Sequence, residues 1–233
     1  MKSGDERSLA DVPVPIMASL ALALVLQVAL RIGDAPSEKL ARDLPAPPPA
    51  ALLRLAGLGE SALTARLAMV YLQGYDLNSG NSLPYQRLDY GLLIRWLKVI
   101  LEIDPKSQYP LFMAARIYAE VPDPAKMREM LFFVHEQFLE DPNQRWPWLA
   151  HAALLAKHRL HDLPLARRYA AELSRLVSSP SLPIWAREME SFLLEDMGEK
   201  EAARIELGGL IASGQVTDPD ELRFLQLRIK QLE

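Results

Sequence analysis

Residues 104–118 read Asp-Pro-Lys-Ser-Gln-Tyr-Pro-Leu-Phe-Met-Ala-Ala-Arg-Ile-Tyr, and residues 141–155 read Asp-Pro-Asn-Gln-Arg-Trp-Pro-Trp-Leu-Ala-His-Ala-Ala-Leu-Leu. The two stretches begin 37 residues apart. At that offset Asp104-Pro105 falls on Asp141-Pro142, Pro110 on Pro147, and Ala166 on Ala203. Leu111, Trp148, Trp185 and Leu222 form one series of large apolar residues. Tyr118, Leu155, Phe192 and Ile229 form a second, seven positions after the first. Two series held in one phase mark a repeat. Periods of about 20–50 residues belong to stacked supersecondary units. A helix pair cannot bury both of its apolar faces alone, so the next pair must cover them, and the same buried positions recur in each unit.

Outward from this core, everything from about Ala50 reads as helix. Leu88, Leu92, Leu97, Ile100 and Leu101, with Ile94 off phase, recur at the three- and four-residue spacing of an amphipathic helix apart from the step from Leu92 to Leu97, and no alternating β-branched run suggests a strand. The spacing predicts helices over 51–73, 86–103, 108–121, 124–139, 145–159, 163–177, 182–196, 200–213 and 219–232.

The pattern resembles the tetratricopeptide repeat, which pairs two antiparallel helices. Trp148 and Trp185 match its early aromatic position and Tyr118 its later one. Ala115 and Ala152 match its small position, from which Met189 departs. Asp104-Pro105 and Asp141-Pro142 match its closing turn. The period is longer than the usual one of about 34 residues. The resemblance implies an all-α fold, a right-handed α-solenoid of stacked helix hairpins over residues 51–233. In it, Trp148 and Trp185 are core residues and helix 219–232 is a C-terminal cap.

Composition narrows the function classes. Half of the 233 residues are apolar and 24% are charged, which supports a packed core. A net charge of −4 argues against a nucleic-acid partner. With no cysteine, thiolate metal sites and cysteine nucleophiles are excluded.

Residues 12–30 carry no charge, and only Ser19 and Gln27 are strongly polar. About 20 apolar residues suffice to cross a bilayer. A cleaved signal peptide would need a small-residue site after the run, whereas Leu30-Arg31-Ile32-Gly33-Asp34 is found there. A buried core helix would keep a polar face. The expectation is one transmembrane helix over 12–32 after a short tail, 1–11, and before a Pro-rich linker, 33–50, that acts as a stalk. Lys2 and Arg7 nearly balance Arg31, Lys39 and Arg42. The common arrangement, with a cytoplasmic tail and an exported bulk, gives a single-pass protein of a bacterial inner membrane with a periplasmic repeat domain.

The sequence offers no complete motif for chemistry. His135-Glu136 opens a zinc-protease-like pattern, but its second ligand position is Leu139. His151 and His158 share a helix face but sit two turns apart, about 10.5 Å, too far for one metal. Phosphate loops and nucleophile elbows are lacking. Glu188, Glu190, Glu195 and Asp196 read as a solvated face. No catalytic residue, cofactor or metal is expected, and the chain is not expected to be an enzyme. The segment 74–86 interrupts the repeat, as a surface insertion or as a binding loop presenting Tyr75 and Tyr85.

The layout implies a membrane-anchored scaffold for protein–protein interaction, an assembly or accessory factor of a bacterial envelope complex. The rival is an integral accessory subunit of a larger membrane complex. In repeats of the kind this chain resembles, the first helix of each pair lines a concave face. Carried over in the 37-residue register, this gives Tyr109, Phe112, Arg116, Glu120, Trp146, Leu149 and Lys157 as the partner-binding groove.

Overall fold

The structure, a computed structural model, describes residues 13–33, 44–77, 85–178, 182–214 and 216–232, without the side chains of 29–33 and 76–77. It divides into two compact units, Met1–Arg42 and Asp43–Glu233. Among the described residues the chain is all-helical, with no strand.

The first unit contains α1 (Val14–Gly33), 20 residues long. Its described side chains, 13–28, are all exposed. The span expected over 12–32 lies partly outside the described residues, at 12 and at the side chains of 29–32. Among the described residues no helix is long and apolar enough to cross a membrane. The tail 1–11 lies wholly outside them.

The second unit contains α2 (Ala50–Ala56), α3 (Ser61–Leu77), α4 (Tyr90–Ile103), α5 (Tyr109–Met113), α6 (Pro124–Glu140), α7 (Pro142–His158), α8 (Leu163–Leu176), α9 (Ile184–Asp196), α10 (Lys200–Ala212) and α11 (Pro219–Gln231). A π-helical turn, Ala114–Tyr118, continues α5. Each helix packs on its neighbour in sequence. The main further packing runs a short way along the chain, from α2 to α4, α4 to α6 and α5 to α7, with side-chain contacts from α3 to α5, α7 to α9 and α9 to α11. One apolar core tracks this path, from Leu44 through Leu97, Tyr118, Phe133, Ala152 and Tyr169 to Leu193. Burying each large side chain contributes about 1.5–3 kcal/mol. A smaller cluster of Leu207, Val216 and Leu225 joins α10 to α11.

Aspartate and proline set the helix starts. Asp123, Asp141 and Asp218 are N-caps followed by Pro at the first helical position, and Asp162 caps α8. The Asp123 carboxylate accepts from the Ala125 N–H at 2.9 Å, and Asp162 from the Leu165 N–H at 3.0 Å. Proline lacks the N–H that the first turn leaves unpaired, so it fits there. This corrects the start expected at 145: α7 begins at Pro142. Asp104-Pro105, its register mate, instead forms the turn that ends α4. Arg145 ties the two junctions together. Its guanidinium, buried, donates to the Gln137 carbonyl at 2.7 Å and to the Pro105 carbonyl at 3.0 Å.

Two further expectations are corrected. The single helix over 51–73 is broken at residues 57–59. Leu58 and Gly59 take positive φ, 52° and 85°. A Cβ on Gly57 would lie 1.8 Å from Thr64 Oγ1, so the corner closes only on glycine. The Pro-rich stretch is not a clear spacer throughout. Leu44 is buried in the core, and the Pro45 carbonyl accepts from Trp96 Nε1 at 2.7 Å, so residues 44–49 lie on the domain. Residues 34–43 of the expected linker are outside the described set.

Candidate functional site

The residues expected to face a partner lie on or just after α5 and its π turn, and on α7. On α5 and its π turn, Tyr109, Phe112, Arg116 and Glu120 are exposed, while Pro110, Leu111, Met113, Ala114, Ala115 and Tyr118 are buried. A π turn closes this helix. The Ala119 N–H donates to the Ala114 carbonyl, five residues back, at 2.9 Å. Arg116 and Glu120, four residues apart, are exposed, while Tyr118 and Ala119 between them are buried. π turns recur at functional sites.

Aromatic rings form the centre of this face. Tyr109, 44% exposed, stacks on Phe112, 39% exposed, with ring centroids 6.3 Å apart and planes 12° from parallel. Phe112 meets the edge of Trp148 at 5.9 Å. The Tyr109 hydroxyl accepts from Gln73 Nε2 at 2.6 Å, which ties α5 to α3. On the other flank of α7, Trp146 meets Trp185 of α9 at 6.1 Å. The rings thus bridge α5 to α7 and α7 to α9 near the helix starts.

A polar cluster lies beyond the rings. Arg116 Nη1 lies 3.3 Å from His151 Nδ1, and Glu120 Oε1 lies 3.9 Å from His151 Nε2. Burial, followed by the Arg116 charge, holds the His151 pKa below its ordinary value, with Glu120 opposing. The imidazole is therefore neutral at pH 7. It can accept from Arg116 while the guanidinium keeps donors for a carboxylate or carbonyl.

Of the expected groove residues, the structure stacks Tyr109 on Phe112 and places Arg116 and Glu120 on either side of His151. It corrects Leu149, which is 0% exposed. Leu149 continues the buried stripe of Ala152, Ala153 and Ala156, so no partner reaches it. Trp146 and Lys157 turn toward α9, Trp146 onto Trp185 and Lys157 onto Asp196 at 2.5 Å.

The core expected at the early aromatic position is also corrected. Trp185 is 49% exposed, and Trp148 is half-buried with its indole N–H donating to Gln108 Oε1 at 2.7 Å. Trp148 is the seventh residue of α7 but Trp185 the second of α9, so equal sequence register does not give equal depth. The small position is the more faithful core marker, with Ala115, Ala152 and Met189 all buried.

His151 itself went unassigned by sequence reasoning. Its only signal was its place between Arg116 and Glu120 once α5 and α7 lie side by side. The other candidates fall elsewhere. His135 Nε2 pairs with Glu172 at 2.5 Å and its ring stacks on Tyr169. Tyr75 packs against Tyr71, and Tyr85 against Tyr118. Residues 78–84 of the expected binding loop lie outside the described set. Glu188 and Glu190, read as solvated, are buried. Burial, then the Glu221 charge, pushes the Glu188 carboxyl up to about 7. Among the described residues no group of three or more His, Asp or Glu gathers as a metal site.

Comparison with known proteins finds no matching family model, no matching curated protein and no matching solved structure.

Proposed function

We propose that this chain is a membrane-anchored scaffold for protein–protein interaction, an assembly or accessory factor of a bacterial envelope complex. Its helices form a right-handed solenoid of hairpins akin to tetratricopeptide repeats. The observation that carries this reading is the exposed aromatic stack of Tyr109 and Phe112, continued by Trp148 and set beside the Arg116–His151–Glu120 cluster. Large, ordered, partly exposed aromatics next to arginine are the composition of binding hot spots. Packing that passes mainly between helices near in sequence, among the described residues, supports the solenoid.

The anchor is α1. Its 20 residues span about 30 Å, the thickness of a bilayer's hydrocarbon core. Its described side chains are exposed and, apart from Ser19 and Gln27, not strongly polar. The uncharged run continues in the sequence through Ala29 and Leu30. The repeat domain faces the periplasm in this reading, which a reporter fused at the C-terminus tests.

The partner-binding role is tested by recovery of bound proteins from solubilised membranes, using wild type, Phe112→Ala and Arg116→Glu. Both changed side chains are exposed, so the fold is expected to persist, as circular dichroism checks. Loss of the same partner from both variants supports the reading. Retention of every wild-type partner by both rejects it.

A further inference from the structure

The solvent side of α2 and α3 is apolar. Leu52 and Leu55 on α2, and Leu63, Leu67, Val70 and Tyr71 on α3, are all exposed. On α3 these positions are spaced i, i+4, i+7 and i+8, one helical face. The opposite face, Ala65, Ala68, Met69 and Leu72, is already buried in the core. A helix apolar on both sides needs a cover on both. Between the two helices Leu58 stands 91% exposed at the tip of the Gly57-Leu58-Gly59 corner, in the left-handed region that a leucine rarely occupies.

We infer that this leucine face of α2–α3 rests on the lipid bilayer, with Leu58 inserted at its tip. The inference rests on the reading of α1 as the anchor. Three observations select lipid over a protein neighbour. The first is reach. Leu44 is fixed in the core and Pro45 on Trp96, so only residues 34–43 separate α1 from the domain, and a chain of that length spans at most roughly 40 Å. The second is place. The tether enters the domain at residues 44–49, which run directly into α2, so α2 and α3 are the helices next to it along the chain. The third is shape. The leucines spread over two helices and a protruding corner instead of forming a single seam for one partner helix. Arg66 is exposed on α3, suited to anionic headgroups, whereas Arg54 on α2 is paired with Glu102 at 3.6 Å.

The chain contains no cysteine, so single-cysteine variants can be labelled cleanly. Full-length Leu58→Cys, Leu67→Cys and, as control on α8, Ser174→Cys are labelled with a polarity-sensitive nitrobenzoxadiazole. They are then reconstituted into phosphatidylcholine–phosphatidylglycerol vesicles (3:1). The expected result is blue-shifted emission at 58 and 67, strongly quenched by nitroxide-labelled phospholipid, with neither effect at 174. Chain that floats with the vesicles but has water-like emission at 58 and 67 overturns the inference and leaves the anchor standing. Blue-shifted emission untouched by the lipid quencher assigns the face to a protein neighbour or a second copy, and also overturns it. Chain that does not float with the vesicles overturns the anchor and the inference together.

Discussion

Phe112 and Trp148 meet edge to face across α5 and α7, with ring centroids 5.9 Å apart and planes inclined by 78°. The contact joins α5 to α7 by rings that remain partly open to solvent, so the pair packs the helices together while leaving ring surface accessible. Trp148 also holds Gln108 through its indole N–H. Trp148→Ala is expected to cost about 2–3 kcal/mol, less than a fully buried tryptophan. Trp185→Ala, at the exposed start of α9, is expected to cost about 1 kcal/mol. Urea unfolding of both variants checks the order.

Arg145 crosslinks two inter-helix junctions through the Gln137 and Pro105 carbonyls while buried. Arg145→Ala leaves both carbonyls without this donor. A loss of about 2–3 kcal/mol is expected, as for hydrogen bonds to a charged group, measured as a lowered Tm. Arg145→Lys, with a single ammonium, is expected to recover only part of it.

Two carboxyls give opposite pH slopes. Glu188 is buried, with Oε1 lacking a hydrogen-bond partner, and has its pKa pushed up to about 7. The folded state therefore holds this proton more tightly than the unfolded one. Its contribution to stability is complete below about pH 4.5 and is lost as pH rises to 7. Glu188→Gln is expected to flatten this slope and to gain on the order of 1 kcal/mol at pH 8.

Asp162 behaves in the reverse sense. Its hydrogen bond from Arg128 at 2.6 Å, the largest cause, holds its carboxyl below the usual range. Its contribution is present above the ordinary carboxylate pKa and is lost as pH falls through the lowered value. Asp162→Ala also removes the cap of α8 and is expected to cost about 1–2 kcal/mol at pH 7, with less stability lost on acidification than in wild type. Thermal melts across pH 3–8 read both carboxyls.

The helical class and most helix positions were legible because apolar spacing reports a helix face directly. Asp123, Asp141, Asp162 and Asp218 cap the starts in the structure, and at Asp141 the expected closing turn proves also to open α7. Depth was less legible. Leu149 and Phe112 come just after the early position of their repeats alike, yet one is buried and the other exposed. The difference arises because α7 opens well before Trp146-Pro147 while α5 opens at Tyr109 and continues through a π turn. Neither a helix start nor a π turn is set by the 37-residue offset. The break at Gly57-Leu58-Gly59 was present in the sequence as two glycines around a leucine, but the apolar spacing on both sides masked it. The Arg116–His151–Glu120 cluster depends on lateral packing of helices, which no local pattern encodes.

The central claim is that the Tyr109–Phe112 face carries the partner. It is tested most directly by placing a photo-crosslinking amino acid at Phe112 in the full chain, in its native membranes, with Ser174 as the comparison position. The account predicts a discrete adduct from 112, none from 174, and loss of that adduct when Arg116→Glu is added. Equal labelling from both positions, or an adduct at 112 unaffected by Arg116→Glu, would contradict it.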